Sequence, residues 1–488
     1  MKQGKEISTR QPRDYRLASY PNRVLLIVPA VEGDPFLNSA ANLGVGYLGA
    51  SLLARGHRVK LLDMANVYND LNRLADLVKD FKPEVIGVTG STFHYPSALK
   101  IIAHVKGIDP GIITIFGGPH ASALAEFILG TEPKVDFIIR GEGEKALSAL
   151  LQNLFQGDDL SLIAGLVYRD GVAIRANSPS YIEDLNELEY PWKIINPLDY
   201  QGGRVHGFAR RQQPVAQVLS SRGCPYHCTF CAGRSVLGSK IRMRRPDAFL
   251  DELIYLKREY GIREVQIVDD NFTFYQDHAA EICHQIISRE MNISLSLPNG
   301  VRADRLNEKL LSIMKKAGFY YLSFGIEFGS PRMLKLCRKS LDLDQARESI
   351  RVANKLGFMT QGFFLLGHPQ ERPEDIEMTR AFIKSVPLDR ILLTLPFPLP
   401  GSELFDYYIR KRYDAVANIE WETFKFDSYD RLLENMTKEI LRQQRIHIYN
   451  EFYFNPINAL RFLSKFRTVS QMKSAFYGFG FLRKLLKS

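Results

Sequence analysis

Short apolar runs alternate with amphipathic helical patterns along most of the 488 residues, and this alternation constrains the fold more than any other feature. An apolar run, a helical pattern and a second apolar run predict a βαβ unit with parallel strands. Five such runs lie between residues 22 and 155, at 24–28, 59–63, 85–89, 112–116 and 135–139. They predict an α/β domain with a Rossmann-like parallel sheet.

A second series of strand-like runs follows, at residues 216–221, 264–268, 294–297, 320–325, 358–366 and 390–395. Six strand-helix repeats predict a partial (βα)6 TIM-like barrel over residues 214–425. Residues 156–213 are predicted to be a connector containing a hairpin around Asp170-Gly171. Both sheet types bind ligands beyond the carboxyl ends of their strands, so the residues after each run are the candidates for function.

Three of the five cysteines, Cys224, Cys228 and Cys231, lie within eight residues of one another, just after the first run of the second series. This spacing is typical of an iron-sulfur site, and three thiolates leave one iron of a four-iron cluster open to another ligand. Zinc is the weaker alternative, because a zinc site usually pairs two such knuckles and Cys283 and Cys337 each stand alone. A disulfide framework would need a far denser set of cysteines.

With Phe230 directly before the last cysteine, the Cys-x3-Cys-x2-Cys motif resembles that of the radical S-adenosylmethionine (radical SAM) enzymes. The resemblance implies a 4Fe-4S cluster on the three cysteines, with the open iron chelating the amino and carboxylate groups of S-adenosyl-L-methionine (SAM). One electron would then cleave SAM to a deoxyadenosyl radical. The implied SAM contacts are Phe230, Asp269, Asp270, Asn299, Arg302 and Glu327.

Each of these SAM contacts is expected from its place after a strand. The two aspartates stand where the family's Gly-Gly-Glu meets the SAM ammonium, which acidic groups suit. Asn299 is expected at the ribose and Arg302 at the carboxylate, and Glu327 at the ribose hydroxyls or facing the substrate. No residue is assigned a catalytic role in the reaction.

Small and polar residues follow the strands of the first series. The ordered set resembles the cobalamin-binding domain that precedes many radical SAM domains. The implied cobalamin contacts are Gly44, Gly46, Ser91, Thr92, Gly117, Gly118, His120, Gly141 and Glu142. The competing interpretation is a flavin or nucleotide Rossmann domain, which the lack of Gly-x-Gly-x2-Gly at the first strand-helix turn weakens.

The Asp-x-His-x2-Gly loop by which many cobalamin proteins supply a histidine to cobalt is absent. The resemblance therefore implies cobalt without a lower histidine ligand. His94 and His120 are the available substitutes, and the alternative for each is an ordinary turn or a hydrogen bond to the cobalamin tail.

Together the two resemblances imply an enzyme that methylates an unactivated carbon of a small-molecule or lipid substrate via methylcobalamin, with an electron donor such as ferredoxin or flavodoxin. The alternative is a radical oxidative cyclase similar to the anaerobic magnesium-protoporphyrin monomethyl ester cyclase. A hopanoid-type lipid methylase fits the same architecture, and a sensor without turnover is the non-enzyme alternative. Methylthiotransfer is disfavoured because no cysteine precedes Cys224.

Residues 426–488 are predicted to form a helical, basic C-terminal region. From residue 441 onward the sequence has nine Lys and Arg residues and a single acid, Glu451, and aromatic residues lie among them. For residues 442–462 the favoured interpretation is a solvated helical cap packed over the open barrel. For the rest, peripheral contact with an anionic membrane surface and a solvated helix stay open as alternatives. Nucleic acid is a poorer match because no recognised binding module accompanies the charge.

The first 23 residues are polar and lack the apolar segment of a signal peptide, and no apolar run is long enough to span a bilayer. We therefore expect a cytoplasmic enzyme, membrane-associated only through its basic tail. In that compartment thiols stay reduced and an oxygen-sensitive cluster survives.

Overall fold

The computed structural model describes residues 22–31, 40–67, 69–179, 181–201, 210–412, 415–424 and 433–466, together with Leu17 and Tyr20. The chain divides into two compact units. Unit 1 comprises Met1–Asn196, Cys231–Lys240 and Leu399–Lys425, and unit 2 comprises Pro197–Phe230, Ile241–Pro398 and Phe426–Ser488. Two short segments that follow Asn196 in the sequence, Cys231–Lys240 and Leu399–Lys425, thus belong to unit 1.

Unit 1 is built on a seven-stranded sheet of order β2-β1-β3-β4-β5-β6-β7. Its strands are β1 (Arg23–Val28), β2 (Arg58–Asp63), β3 (Val85–Thr89), β4 (Ile113–Gly117), β5 (Phe137–Ile139), β6 (Leu166–Asp170) and β7 (Ala173–Ala176). Its helices are α1 (Leu43–Ala54), α2 (Leu71–Phe81), α3 (Tyr95–Ile108), α4 (Pro119–Thr131), α5 (Gly143–Gln156), α6 (Arg234–Leu237) and α13 (Glu403–Arg412).

The first five strands of this sheet are parallel, as their alternation with helices predicts. The hairpin expected around Asp170-Gly171 is formed by β6 and β7, and β6 pairs antiparallel with β5. The segment interpreted as a connector therefore supplies two strands to the sheet. Central strands such as β1 are buried along nearly their whole length, since helices cover both faces of a parallel sheet.

Unit 2 is built on a six-stranded, fully parallel sheet of order β15-β14-β13-β12-β11-β8. Its strands are β8 (Val215–Val218), β11 (Glu264–Ile267), β12 (Ser294–Val301), β13 (Phe319–Glu327), β14 (Met359–Leu365) and β15 (Arg390–Thr394), with a short antiparallel pair of β9 (Ser221–Arg222) and β10 (Arg242–Met243). Its helices are α7 (Pro246–Tyr260), α8 (Gln276–Ser288), α9 (Glu308–Lys316), α10 (Pro331–Leu336), α11 (Leu343–Lys355), α12 (Pro373–Ser385), α14 (Lys438–Tyr453) and α15 (Pro456–Ser464).

This order confirms the expected α/β barrel of six strands taken in sequence. The strand bounds differ from the prediction at β8, which ends at Val218 instead of residue 221, and at β12. β12 continues to Val301, so Asn299 lies inside the strand rather than after it. The pairing of β12 with β13 shifts register between Leu297 and Val301, which lets the strand continue past the predicted end.

Helix α14 covers the open edge of the partial barrel. The Tyr449 hydroxyl accepts a hydrogen bond from the Leu393 amide at 2.9 Å, and the Tyr453 hydroxyl donates to the Ile391 carbonyl at 3.0 Å. Both partners lie on β15, the outermost strand, whose free backbone groups would otherwise pair with another chain. Within the described ranges, no helix combines the length and the apolarity needed to cross a membrane.

Candidate functional site

The three cysteines lie on a loop that leaves the barrel after β8 and β9. Cys224 and Cys228 are partly buried in unit 2, and Cys231 is exposed at the start of a unit 1 segment. The Thr229 amide donates to the Cys337 carbonyl at 3.0 Å, which fixes the middle of the loop. Cys283 and Cys337 are fully buried, as expected for structural cysteines.

Asp269 holds the base of this loop. Its carboxylate accepts hydrogen bonds from the Ser220 amide at 2.7 Å, from the Ser220 hydroxyl at 2.5 Å and from the Ser221 hydroxyl at 2.7 Å. The side chain is buried, and this burial raises its pKa. Its oxygens thus position the strand end before the cysteines, and its expected contact with SAM stays a prediction.

Asp270 has a different environment from its neighbour. Its carboxylate is accessible to solvent although much protein surrounds it. This desolvation, with the charge of Asp269 next to it, raises the pKa of Asp270 to about 6. Cys224 lies close enough for the Asp270 charge to act on its thiol. Of the two predicted acids, Asp270 is the one left open to a cationic ligand.

Arg302 packs against the cysteine loop. Its guanidinium lies 4.0 Å from the centroid of the ring of Tyr226, the residue that lies between Cys224 and Cys228 in the sequence. It also pairs with Asp304 at 2.8 and 3.0 Å and donates to the carbonyls of residues 339 and 340 at 2.7 and 2.6 Å. The side chain is buried and its guanidinium is held by these partners, and the expected contact with the SAM carboxylate stays a prediction.

Glu327 pairs with Lys339, a residue that the sequence pattern did not single out. The Lys339 ammonium lies 3.1 Å from Glu327 Oε1, and the two side chains are 12% and 13% exposed. Burial acts to lower the pKa of Lys339, but the charges of Glu327 and of the nearby Cys228 outweigh it and raise the pKa. Glu327 adopts a φ of 70°, a left-handed conformation that is rare outside glycine and frequent at functional sites.

Burial raises the pKa values of the Cys224 and Cys228 thiols, and Lys339 acts in the opposite direction on both. Both thiols are therefore protonated at neutral pH in the protein without a cluster, and binding metal must release protons. Cysteine thiolates are soft sulfur donors of the kind that hold an iron-sulfur cluster, and Lys339 places a cation beside two of them, Cys224 and Cys228. No group of three or more Cys, His, Asp or Glu side chains in the described part of the chain is already arranged around a metal position.

The two remaining predicted SAM contacts are Asn299 and Phe230. Asn299 is exposed, and its amide donates to the Val268 carbonyl at 2.7 Å, so it joins β12 to the end of β11. Phe230 is partly exposed next to Cys231. Both side chains keep a face accessible to a ligand.

In unit 1, the loops after β3 and β4 lie against each other. The Gly90 amide donates to the Gly117 carbonyl at 3.1 Å, and the His120 amide donates to the Gly90 carbonyl at 3.2 Å. Gly118 has a φ of 91°, and a Cβ there would lie 2.7 Å from the Thr89 hydroxyl and 2.9 Å from the Gly90 nitrogen. Only glycine fits at this position, as the predicted close backbone approach requires.

His120 is enclosed rather than open. Its Nδ1 lies 3.2 Å from the Thr92 hydroxyl, and its ring stacks on Tyr95 at 4.2 Å and meets Trp421 edge-on at 4.7 Å. Burial lowers its pKa to about 3, so the imidazole is neutral. His94 is only half-buried, with its Nδ1 2.8 Å from the Ser91 hydroxyl, and burial lowers its pKa to about 4. His94 is thus the more accessible imidazole.

Three further predicted cobalamin contacts are used by the protein itself. A Cβ at Gly46 would lie 2.5 Å from Ile195, so this glycine permits close packing of helix α1. The Gly141 amide donates to Ser122 at 3.0 Å, and Glu142 accepts from the Ile182 amide at 2.6 Å. Contact of these three residues with cobalamin stays a prediction. Gly44 stays exposed at the start of α1.

Comparison with known proteins agrees with both halves of this description. Residues 34–151 match the B12 binding domain, and residues 218–383 match the radical SAM superfamily. The chain is a B12-binding radical SAM enzyme. An uncharacterised methyltransferase of Pyrococcus horikoshii is 29% identical over 89% of this enzyme and 93% of its own length.

Other relatives carry out different reactions. The cytidylyl-2-hydroxyethylphosphonate methyltransferase of Streptomyces wedmorensis is 28% identical over 78% of this enzyme and 80% of its own length. The anaerobic magnesium-protoporphyrin IX monomethyl ester cyclase of Rubrivivax gelatinosus is 25% identical over 84% of this enzyme and 73% of its own length.

Two solved structures share the fold. The cobalamin-dependent S-adenosylmethionine radical enzyme OxsB aligns with a TM-score of 0.70 and 17% identity, covering 95% of this enzyme and 72% of OxsB. The radical SAM methyltransferase TsrM of Kitasatospora setae aligns with a TM-score of 0.67 and 18% identity, covering 80% of this enzyme and 76% of TsrM. At these identities the likeness shows a common fold.

Proposed function

We propose that this radical SAM enzyme methylates an unactivated carbon of a small-molecule substrate, with a 4Fe-4S cluster on Cys224, Cys228 and Cys231. The observation that carries the proposal is the environment of the loop, where an accessible acid and a buried cation lie beside thiols at the carboxyl end of the barrel. The B12-binding domain ahead of it, in one chain, favours methyl transfer over a reaction that needs SAM alone.

The cluster would supply one electron that splits SAM into methionine and a deoxyadenosyl radical, while cobalamin would carry the methyl group. The protein's part is to position these groups. Asp269 holds the base of the cysteine loop through buried hydrogen bonds to Ser220 and Ser221, and the Arg302 guanidinium packs on the Tyr226 ring within the loop. Such support commonly determines how well a metal site forms.

We assign the polar ends of SAM to the acid and the cation beside the thiols. Asp270 is exposed, and its carboxylate suits the SAM ammonium. Lys339 suits the SAM carboxylate, because it is the cation beside Cys228 and would bind the carboxylate next to its partner Glu327. Asn299 and Phe230 border the same place and suit the ribose and the adenine.

For cobalamin, we assign the loops after β3 and β4. Ser91, Thr92, Gly117 and Gly118 lie in these two loops, whose backbones approach each other closely at Gly118, and we assign them to the extended polar tail of cobalamin with its nucleotide loop. The His120 ring is enclosed by aromatic side chains, and its Nδ1 lies within hydrogen-bond distance of the Thr92 hydroxyl. We assign no lower ligand to cobalt from His120 for this reason.

The domain limits follow from the same assignment: residues 22–155 for cobalamin, 156–213 as connector and 214–425 as the barrel, with residues 426–488 as a C-terminal addition. An electron donor such as ferredoxin or flavodoxin is needed to reduce the cluster. If the substrate is a lipid, the basic C-terminal region with its aromatic residues would take part in binding it.

The second candidate is a radical oxidative cyclase, which the cyclase of Rubrivivax gelatinosus at 25% identity favours. The experiment that separates the two is an anaerobic reaction of the reconstituted enzyme with methyl-deuterated SAM, cobalamin and dithionite, followed by mass spectrometry. Methyl transfer predicts both deoxyadenosine and S-adenosylhomocysteine. Deoxyadenosine alone would support the cyclase. The absence of both products would contradict turnover of SAM and favour a sensor.

A further inference from the structure

Helix α15 presents a ridge of large apolar side chains to solvent at its outer face. Phe454, Ile457, Leu460 and Leu463 are 71%, 71%, 69% and 55% exposed. Residues three apart lie on neighbouring positions of one helical face, so Ile457, Leu460 and Leu463 are contiguous. Phe454 joins them from the end of helix α14. Here we call these four residues the α15 ridge.

The orientation of helix α15 is fixed by contacts on its opposite face. The Lys465 ammonium lies 2.6 Å from Asp389 and 2.7 Å from the Phe358 carbonyl, and Arg461 lies 3.4 Å from the same carboxylate. Phe462 and Phe466 pack against the core at the amino-terminal ends of β13 and β14. Because Asp389 is buried, these ion pairs fix the helix in one rotation, and the α15 ridge cannot turn inward without breaking them.

The chain that adjoins this ridge is basic and contains no acid. After Glu451 the sequence has no Asp or Glu, and seven Lys or Arg residues follow. Two of them, Arg461 and Lys465, are held by Asp389. The other five lie between residues 467 and 488, among the aromatic residues of Phe476-Tyr-Gly-Phe-Gly-Phe481.

We infer that the α15 ridge, with the basic residues that follow it, docks on an anionic phospholipid surface. An apolar ridge inserts at the boundary between headgroups and acyl chains, and neighbouring cations add attraction to anionic lipids. The ridge itself carries no charge because its own helix directs both cations to Asp389. An exposed apolar ridge that is followed in the sequence by five further cations and no acid suits a bilayer of negative surface charge better than a protein of mixed surface charge.

This docking surface lies at the amino-terminal end of the barrel strands, since Phe358 precedes β14 and Asp389 precedes β15. The cysteine loop, Asp270 and Lys339 belong to the carboxyl-terminal end. The membrane therefore binds the barrel at the end away from the cysteine loop and acts as an attachment point. The inference does not depend on which reaction the enzyme performs.

The test is co-sedimentation of the full chain with vesicles of phosphatidylcholine alone and of phosphatidylcholine with about one third phosphatidylglycerol. The inference predicts that the anionic vesicles bind the protein at low salt and release most of it at about 0.5 M salt, where charges are strongly screened. The double variant Ile457→Glu/Leu460→Glu is expected to bind about tenfold or more weakly, because it places charge where insertion occurs.

The matched control is Leu162→Glu/Val172→Glu, which changes two apolar residues of unit 1 that are 82% and 88% exposed. This control should bind vesicles like the unchanged protein, and thermal melting should show that both variants fold. Equal binding to neutral and anionic vesicles, or equal loss in both variants, would overturn the inference. So would a dimer in solution that only the α15 variant dissociates, without vesicle binding, because the ridge would then be an interface between copies.

Discussion

Replacing Arg302 with lysine separates the structural role of this residue from its expected contact with SAM. The change keeps the positive charge and removes the planar group that makes several directed hydrogen bonds at once. An ammonium on a shorter and more flexible stem reaches at most about two of the partners that the guanidinium holds.

The cost follows from the contacts that are lost. Arg302 makes four hydrogen bonds, two to Asp304 and one each to the carbonyls of residues 339 and 340. Two buried acceptors left without donors cost about 1 to 3 kcal/mol each. Loss of the planar stack on Tyr226, at 4.0 Å, removes a further contribution of about 0.5 to 1 kcal/mol. We therefore expect a loss of about 3 kcal/mol in the free energy of unfolding.

The assay is anaerobic thermal and urea unfolding of the protein without cofactors, followed by reconstitution and a count of iron per chain. For a unit of this size about 3 kcal/mol corresponds to a fall in Tm of roughly 6 to 12 °C. We expect Arg302→Lys to melt earlier and to retain less iron, because the Tyr226 side of the cysteine loop loses its support.

Arg305→Lys is the control, since Arg305 lies three residues away and is exposed. It should leave Tm and iron content unchanged. The reasoning would be refuted if Arg302→Lys kept the Tm and the iron of the unchanged enzyme while binding SAM more weakly. That result would restore the contact with the SAM carboxylate that the sequence predicts.

Three further changes test the account. Glu327→Gln should raise the reduction potential of the cluster and Lys339→Met should lower it, because each removes one of two opposite charges beside the thiols; a redox titration followed by electron paramagnetic resonance measures both. The double change Tyr449→Phe/Tyr453→Phe should lower the free energy of unfolding by about 2 to 4 kcal/mol in urea, because backbone groups of the barrel's edge strand lose their partners. Burial raises the pKa of Glu371 from 4.5 to about 8, so the folded enzyme loses stability as pH rises through that window, and Glu371→Gln should gain in Tm relative to the unchanged enzyme between pH 6 and pH 8.5.

Each of these has an opposing result. Shifts of the same sign at residues 327 and 339 would mean that structural change, not charge, sets the potential. An unchanged free energy of unfolding in the tyrosine variant would mean that water satisfies the edge strand equally well. A difference in Tm that is constant with pH would show that Glu371 is ionised in the fold.

The architecture was predictable because it depends on a periodic signal. Alternating strand and helix patterns gave both sheets, and the Asp170-Gly171 turn gave the hairpin, because backbone hydrogen bonding and burial impose those periods on the sequence. The pattern did not predict that β6 pairs with β5, so that this segment continues the first sheet instead of only linking two domains. Strand partners outside a βα repeat leave little mark on local sequence.

The site was predictable in composition but not in detail. Asp269 and Asp270 are the same residue type at neighbouring positions, yet one is bound to Ser220 and Ser221 and the other is accessible. Only the three-dimensional position of the serines distinguishes them. Lys339 follows no strand; it lies in the turn after α10, so the rule that sites follow strand ends did not find it. A positive charge within reach of Cys228 is a property of the folded chain.

The most direct test of the central claim is the electron paramagnetic resonance spectrum of the reconstituted, dithionite-reduced enzyme, recorded before and after addition of SAM. The account predicts the signal of a reduced 4Fe-4S cluster whose g values change with SAM, because three cysteines leave one iron open to it. Cys228→Ala should abolish the signal, and Cys283→Ala, at a buried position in α8, should keep it. A cluster signal that SAM does not alter, or one that survives in Cys228→Ala, would contradict the account.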